Sequence, residues 1–92
     1  MASKDLNFSV NGKRVGATKY QGFARSFELV VDEPEMLGGE DSAANPVEYL
    51  LAGYAGCLNV VFGIVAKELK VEIKSLEIKI VGDFTRDAFP GF

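Results

Sequence analysis

The stretch NPVEYLLAGYAGCLNVVFGIVAKELK, Asn45 to Lys70, decides how the whole chain is read. Three helix-start signals arrive together at its beginning. Asn45 suits the cap, Pro46 suits the first helical position, and Glu48 can reach back to the cap amide and complement the helix dipole. The run from Tyr49 to Ala66 then carries no formal charge over 18 residues. Lys67, Glu68 and Lys70 mark the return to water, and basic residues suit a helix C-terminus. The spacing predicts one apolar helix of about six turns. Its length reaches the lower edge of a membrane span. Gly53, Gly56, Gly63, Asn59 and two tyrosines dilute its hydrophobicity, and no flanking basic cluster sets an orientation, so a helix covered by protein is preferred. A chain of 92 residues has little material for that covering, and oligomerisation is expected.

The rest of the chain is read outward from this helix. Leu6, Phe8 and Val10 alternate before Asn11-Gly12, and Lys13, Val15 and Ala17 follow, which predicts a β-hairpin turning at Asn-Gly. In that register Phe8 would oppose Val15, and Leu6 would oppose Ala17. A turn near Gln21 and Gly22 would lead to a third strand over Ser26 to Val31, with Phe27, Leu29 and Val31 on one side. The segment DEPEMLGGEDSAAN, Asp32 to Asn45, has a proline, paired glycines and five acidic residues, and reads as a surface loop. Both a solvated connection and a binding loop fit it. After the helix, Leu76, Ile78 and Ile80 alternate with charged residues as a half-buried strand ending at Gly82-Asp83. The ending FTRDAFPGF reads as a loop or tail. The fold class is α+β, in one domain spanning 1–92: antiparallel strands packed on a long central helix, with another strand after it.

Composition limits the chemistry. Net charge is −3, and the ten lysines and arginines are scattered, so no footprint for nucleic acid is present. With no histidine and one cysteine, histidine-based triads and internal disulfides have no residues to form them. Nothing calls for a metal or cofactor. A lone thiol and a start without a secretory pattern suit the cytoplasm. By themselves the residues leave Cys57 two readings, a small packing residue or a nucleophile. No cation lies within two turns of it on its own helix, and the helix N-terminus is about three turns away, so activation would come from elsewhere. Ala52, Gly53, Ala55 and Gly56 strip bulk from the preceding turn, leaving room for a close helix crossing or for a small substrate.

The combination LGGEDSAANPVEYLLAGYAGC, Leu37 to Cys57, resembles the core motif of the OsmC-like family, which includes the organic hydroperoxide resistance proteins. It has Gly-Gly before the helix, Pro-x-Glu at its start, a small-residue run into a cysteine and a later strand ending EIKIVGDF. The likeness extends over roughly Val15 to Phe84, and the three motif elements are more specific together than singly. It implies an intertwined homodimer with the active site at its interface. It also implies a thiol peroxidase of oxidative stress defence, in which Cys57 attacks an organic hydroperoxide and an external thiol reductant restores it. A catalytic arginine held by a glutamate would stand near the thiolate. Glu48 matches the glutamate, and the cation would come from Arg14, Lys19 or Arg25, of which Arg25 is preferred as a bidentate donor in a turn. The resemblance further implies two more strands and a second helix with a second cysteine, which do not follow Phe92. A piece of a longer protein, a short form, and a fold completed by pairing all remain open. The reading of another class is a non-catalytic dimerisation or small-ligand-binding module with a structural Cys57.

Overall fold

The computed structural model describes residues 5–83, and the expected ending 84–92 lies outside the described residues. The elements are three antiparallel strands, β1 (Asn11–Arg14), β2 (Tyr20–Ala24) and β3 (Phe27–Val31), and one long helix, α1 (Pro46–Leu69). This is an α+β fold. The chain forms two compact units that divide between Asn45 and Pro46.

In the first unit the sheet order is β1-β2-β3. Asn11 pairs with Phe23 and Arg14 with Tyr20, while Tyr20 pairs with Val31 and Ala24 with Phe27. The expected turn at Asn11-Gly12 is therefore corrected: both residues lie inside β1, and neither has the positive φ that such a hairpin turn requires. The chain reverses instead between Val15 and Lys19, where the Val15 N–H donates to the Lys19 carbonyl at 2.9 Å. Gln21 and Gly22, expected at a turn, are in β2, and the β2–β3 reversal falls at Arg25, which has φ 55°. The third strand stands as expected, one residue shorter at its start. Leu6 and Phe8 do not meet Val15 and Ala17, and each is 80% exposed.

Gly12 has a packing reason rather than a turning one. It faces Gly22 across the β1–β2 ladder. A Cβ built on Gly12 would lie 2.3 Å from the Gln21 carbonyl oxygen and 2.6 Å from Tyr20 Cζ, and one on Gly22 would lie 2.7 Å from Tyr20 Cε2. The Tyr20 ring thus lies over two facing glycines, which need the absence of a side chain and not a left-handed backbone.

The acidic loop is more ordered than its composition suggests. A single 3₁₀ turn, Glu35–Leu37, ends on Gly38 in the left-handed region at φ 93°. A Cβ on Gly39 would stand 2.0 Å from the Glu33 carbonyl oxygen, so the paired glycines serve two needs, a backbone sign and a close approach. At the centre is Asp32, 1% exposed and the buried charged residue among those described. Its Oδ1 accepts from the Thr18 hydroxyl. Its Oδ2 accepts from the Ser42 hydroxyl at 2.7 Å, the Ser42 N–H at 3.2 Å and the Glu40 N–H at 3.3 Å. Its own N–H donates to the Ala44 carbonyl at 3.1 Å, closing the loop one residue before Asn45. The expectation that the whole segment is a surface connection is corrected here, because a carboxylate with this many donors tolerates burial.

In the second unit α1 starts at Pro46, as its start signals require, with Glu48 in the first turn and Lys67 in the last. Lys70 takes φ 57°, and the bonds Lys70 N–H to Lys67 carbonyl (3.2 Å) and Val71 N–H to Ala66 carbonyl (2.8 Å) close the end as a Schellman motif without glycine. No described apolar side chain of α1 is buried. Leu50, Tyr54, Val60, Val61, Phe62, Ile64, Val65 and Leu69 are exposed, and Leu51, Ala55 and Leu58 form a half-buried stripe. The expected strand over Leu76–Ile80 is not formed. Ile78 and Ile80 keep their two-residue alternation as half-buried positions, but a strand is defined by a hydrogen-bonded neighbour, and no ladder reaches this segment among the described residues.

Two outcomes follow. Gly12→Ala forces either the Gln21 backbone or the Tyr20 ring to move, and should lower stability by about 1–3 kcal/mol in urea melts; an unchanged midpoint would sink the packing account. The second concerns acid. The Thr18 hydroxyl first, then that of Ser42, with the Glu33 and Ser42 amides after them, hold the Asp32 carboxyl well below its usual range, against the opposing effect of burial. A depressed folded value means that the unfolded chain binds the extra proton, so this contribution is complete above the ordinary carboxylate range near pH 4 and fades as pH falls below it. Thr18→Val should raise the pH at which amide protection of Glu40 and Ser42 is lost, as followed by hydrogen exchange.

Candidate functional site

The free thiol of Cys57 lies on α1 and is exposed. Its surroundings on the helix are small, and nothing among the described residues comes within 4 Å of a Cβ built on Gly53, Gly56 or Gly63. Space for a reactant or for another chain is therefore open beside the sulfur. Glu48 shares the helix but not the face. Nine residues of ideal helix separate the two by about 13 Å along the axis and about half a turn around it. One carboxylate cannot touch this sulfur directly from that position, so any influence of Glu48 on Cys57 has to pass through an intervening group.

The three cations singled out as candidates all belong to the first unit, and each is engaged differently. The Arg14 guanidinium donates to the Ala17 carbonyl at 3.5 Å, a long and exposed bond. Lys19 Nζ lies 3.7 Å from Glu40 Oε1, and the Glu40 side chain is largely exposed, so the pair is screened and leaves the ammonium available. The Arg25 guanidinium sits 4.9 Å above the centroid of the Phe27 ring. Its backbone is left-handed at the β2–β3 corner, at the opposite end of β2 from Lys19. Arg25 and Ser26 form the two-residue turn between the strands, and Arg25 is exposed there.

A cavity of about 370 Å³ in the first unit is bounded by the β1–β2 turn, Lys19, Asp32, Gly38 and Glu40. Its polar wall is the same carboxylate network that closes the acidic loop. Sequence reading missed Asp32, Thr18 and Ser42 as a group. The signal available was an Asp directly after an apolar strand, with hydroxyl residues at Thr18 and Ser42, but those residues meet only when the loop folds back over the turn.

A family model described as OsmC-like protein matches residues 39–92, more than half of the chain. No curated protein and no solved structure matches. The matched segment begins at Gly39, whose missing side chain lets the loop approach Glu33, and takes in the helix start, the small-residue run and Cys57. On that match, reinforced by the Gly-Gly, Pro-x-Glu and Ala-Gly-Cys elements at their places in the loop and in α1, the chain belongs to the OsmC-like family.

Proposed function

We propose that the chain reduces organic hydroperoxides through Cys57. The observation that carries this reading is the family match over residues 39–92 together with an exposed thiol inside that segment. The Cys57 thiolate attacks the peroxide; an S–O bond forms as the O–O bond breaks, the sulfur becomes a sulfenic acid, and the departing alkoxide takes a proton to leave as the alcohol. An external thiol then condenses with the sulfenic acid to a mixed disulfide, releasing water, and a second thiol frees Cys57 while the reductant leaves as its disulfide. Arg25 is the preferred cation beside the thiolate and Glu48 the carboxylate that orients it, with Lys19 the alternative donor. Both roles rest on the family pattern.

The chain acts as a homodimer in this reading. Eight large apolar side chains of α1 stand exposed on one copy, and covering such surface is worth about 25 cal/mol per Å². By length and composition α1 could also cross a membrane, and the dimer is the preferred covering because it uses the open space above Gly53, Gly56 and Gly63. The exposure of α1 also favours the second reading, a dimerisation or small-ligand module in which Cys57 only packs. That module would show a slow, ordinary thiol.

A brief equimolar pulse of organic hydroperoxide, read by intact mass, should add one oxygen to Cys57 within the pulse. Peroxide should then be consumed catalytically when a dithiol is supplied. Consumption no faster than that of Cys57→Ser would return the thiol to a packing role. In sedimentation without detergent the chain should run as a pair, and Val61→Glu should shift it toward single chains. A monomer at every concentration would remove the dimer.

A further inference from the structure

We propose that residues 76–80 are a self-complementary pairing strand, through which two copies of the chain join antiparallel with Ile78 facing the partner's Ile78. This deepens the homodimer reading above by naming a contact for it, and it does not depend on the chemistry of Cys57.

The segment after α1 has the residue pattern of a strand and none of its bonds. Leu76, Ile78 and Ile80 alternate with Glu77 and Lys79. Ile78 and Ile80 are half-buried while Glu77 and Lys79 are exposed, so the alternation persists in three dimensions. A Cβ built on Gly82 would stand 3.4 Å from Leu51 Cδ2, which places the end of the segment against α1. Yet among the described residues the backbone of 72–83 takes part in no ladder and in no turn or loop hydrogen bond. Glu77 and Lys79 form no ion pair among the described residues either. An extended backbone with one apolar side and two open edges is a template for another strand.

The charges say which strand fits. In an antiparallel pair centred on Ile78, Glu77 faces the partner's Lys79, Lys79 faces the partner's Glu77, and Leu76 faces the partner's Ile80. Every side chain then meets one of its own kind or of opposite charge, and the contact is isologous. Other arrangements lose this match. Parallel pairing in register sets Glu77 against Glu77 and Lys79 against Lys79. Centring on Glu77 or on Lys79 brings that residue against itself, centring on Ile80 sets Glu77 against Asp83, and centring on Leu76 leaves both charges without a partner. A slip of one residue puts the apolar set opposite the charged one. Exposed ion pairs are weak, so these charges select direction and register, while the backbone bonds and the apolar side chains supply affinity.

The test uses the full chain and two reversals at exposed positions, Glu77→Lys and Lys79→Glu, read by sedimentation over a range of concentrations in low salt and by amide exchange. In wild type, alternate amides across 76–80 should gain protection as the chain associates, because one edge of a strand presents every second N–H. Each single reversal makes both cross-strand pairs like-charged and should weaken association about tenfold. The double reversal, and an equimolar mixture of the two single variants, restore opposite charges and should recover association to within about twofold. One reversal raises the net negative charge and the other lowers it, so general repulsion does not weaken both. The α1 amides should keep their protection throughout, which shows that the variants fold. Association that neither reversal alters, or protection without alternation, overturns the strand pairing and leaves a dimer held by α1. A mixture no better than the single variants overturns the register. Association that the reversals weaken but Val61→Glu leaves intact keeps the strand contact and removes α1 as the covering surface, whereas a wild-type chain that stays single at every concentration removes both.

Discussion

A buried carboxylate must be satisfied or it destabilises what surrounds it. In this chain Asp32 meets that demand with two hydroxyls and two amides, which tie the β1–β2 turn and the acidic loop to the end of β3. The sheet has no buried apolar side chain among the described residues, so the loop from Glu33 to Ala44 is held by polar contacts: those to Asp32, the main-chain bonds from Gly39 N–H to the Pro34 carbonyl and from Asp41 N–H to the Glu33 carbonyl, and the Lys19–Glu40 pair. The paired glycines are part of the same solution. Gly38 supplies a left-handed turn and Gly39 a close approach to the Glu33 carbonyl, which together bring Glu40 and Ser42 back to the carboxylate. A family motif thereby gains a physical account: its glycines precede the helix because the loop must fold back before the helix can leave.

The second unit presents the opposite problem. Its helix is specified strongly by local signals, closes with a hydrogen-bonded end, and carries apolar residues that one chain leaves open. Helix propensity and capping need no partner, but the apolar surface does. The exposed thiol is placed in that same open surface. The apolar surface and the thiol therefore share one helix, and whatever covers α1 also determines how open Cys57 stays.

Much of this was legible in the residues. Asn45, Pro46 and Glu48 announce the helix start because capping is a short-range matter. Lys67, Glu68 and Lys70 announce its end for the same reason. The third strand was legible from Phe27, Leu29 and Val31. The first hairpin was not. Asn11-Gly12 carries a strong turn signal, but the ring of Tyr20 needs two facing glycines, and that contact exists only once β1 and β2 pair. Leu76 to Ile80 has a strand's alternation without a strand's neighbour, and alternation alone does not make a ladder.

The candidate site divides along the same line. The sequence by itself determined the inventory: one thiol, no histidine, a carboxylate at the helix start, a few cations near the N-terminus, and the motif that points to the family. It also determined the helix that carries the thiol, since caps and periodicity act over a few residues. Only the tertiary structure decided which cation is stacked on a ring and which is paired in a loop. It alone drew Thr18, Asp32 and Ser42 together across gaps of 14 and 10 residues. Hydrogen bonds across such separations depend on the path of the backbone, and that path follows from strand pairing and loop closure rather than from any local pattern of residues.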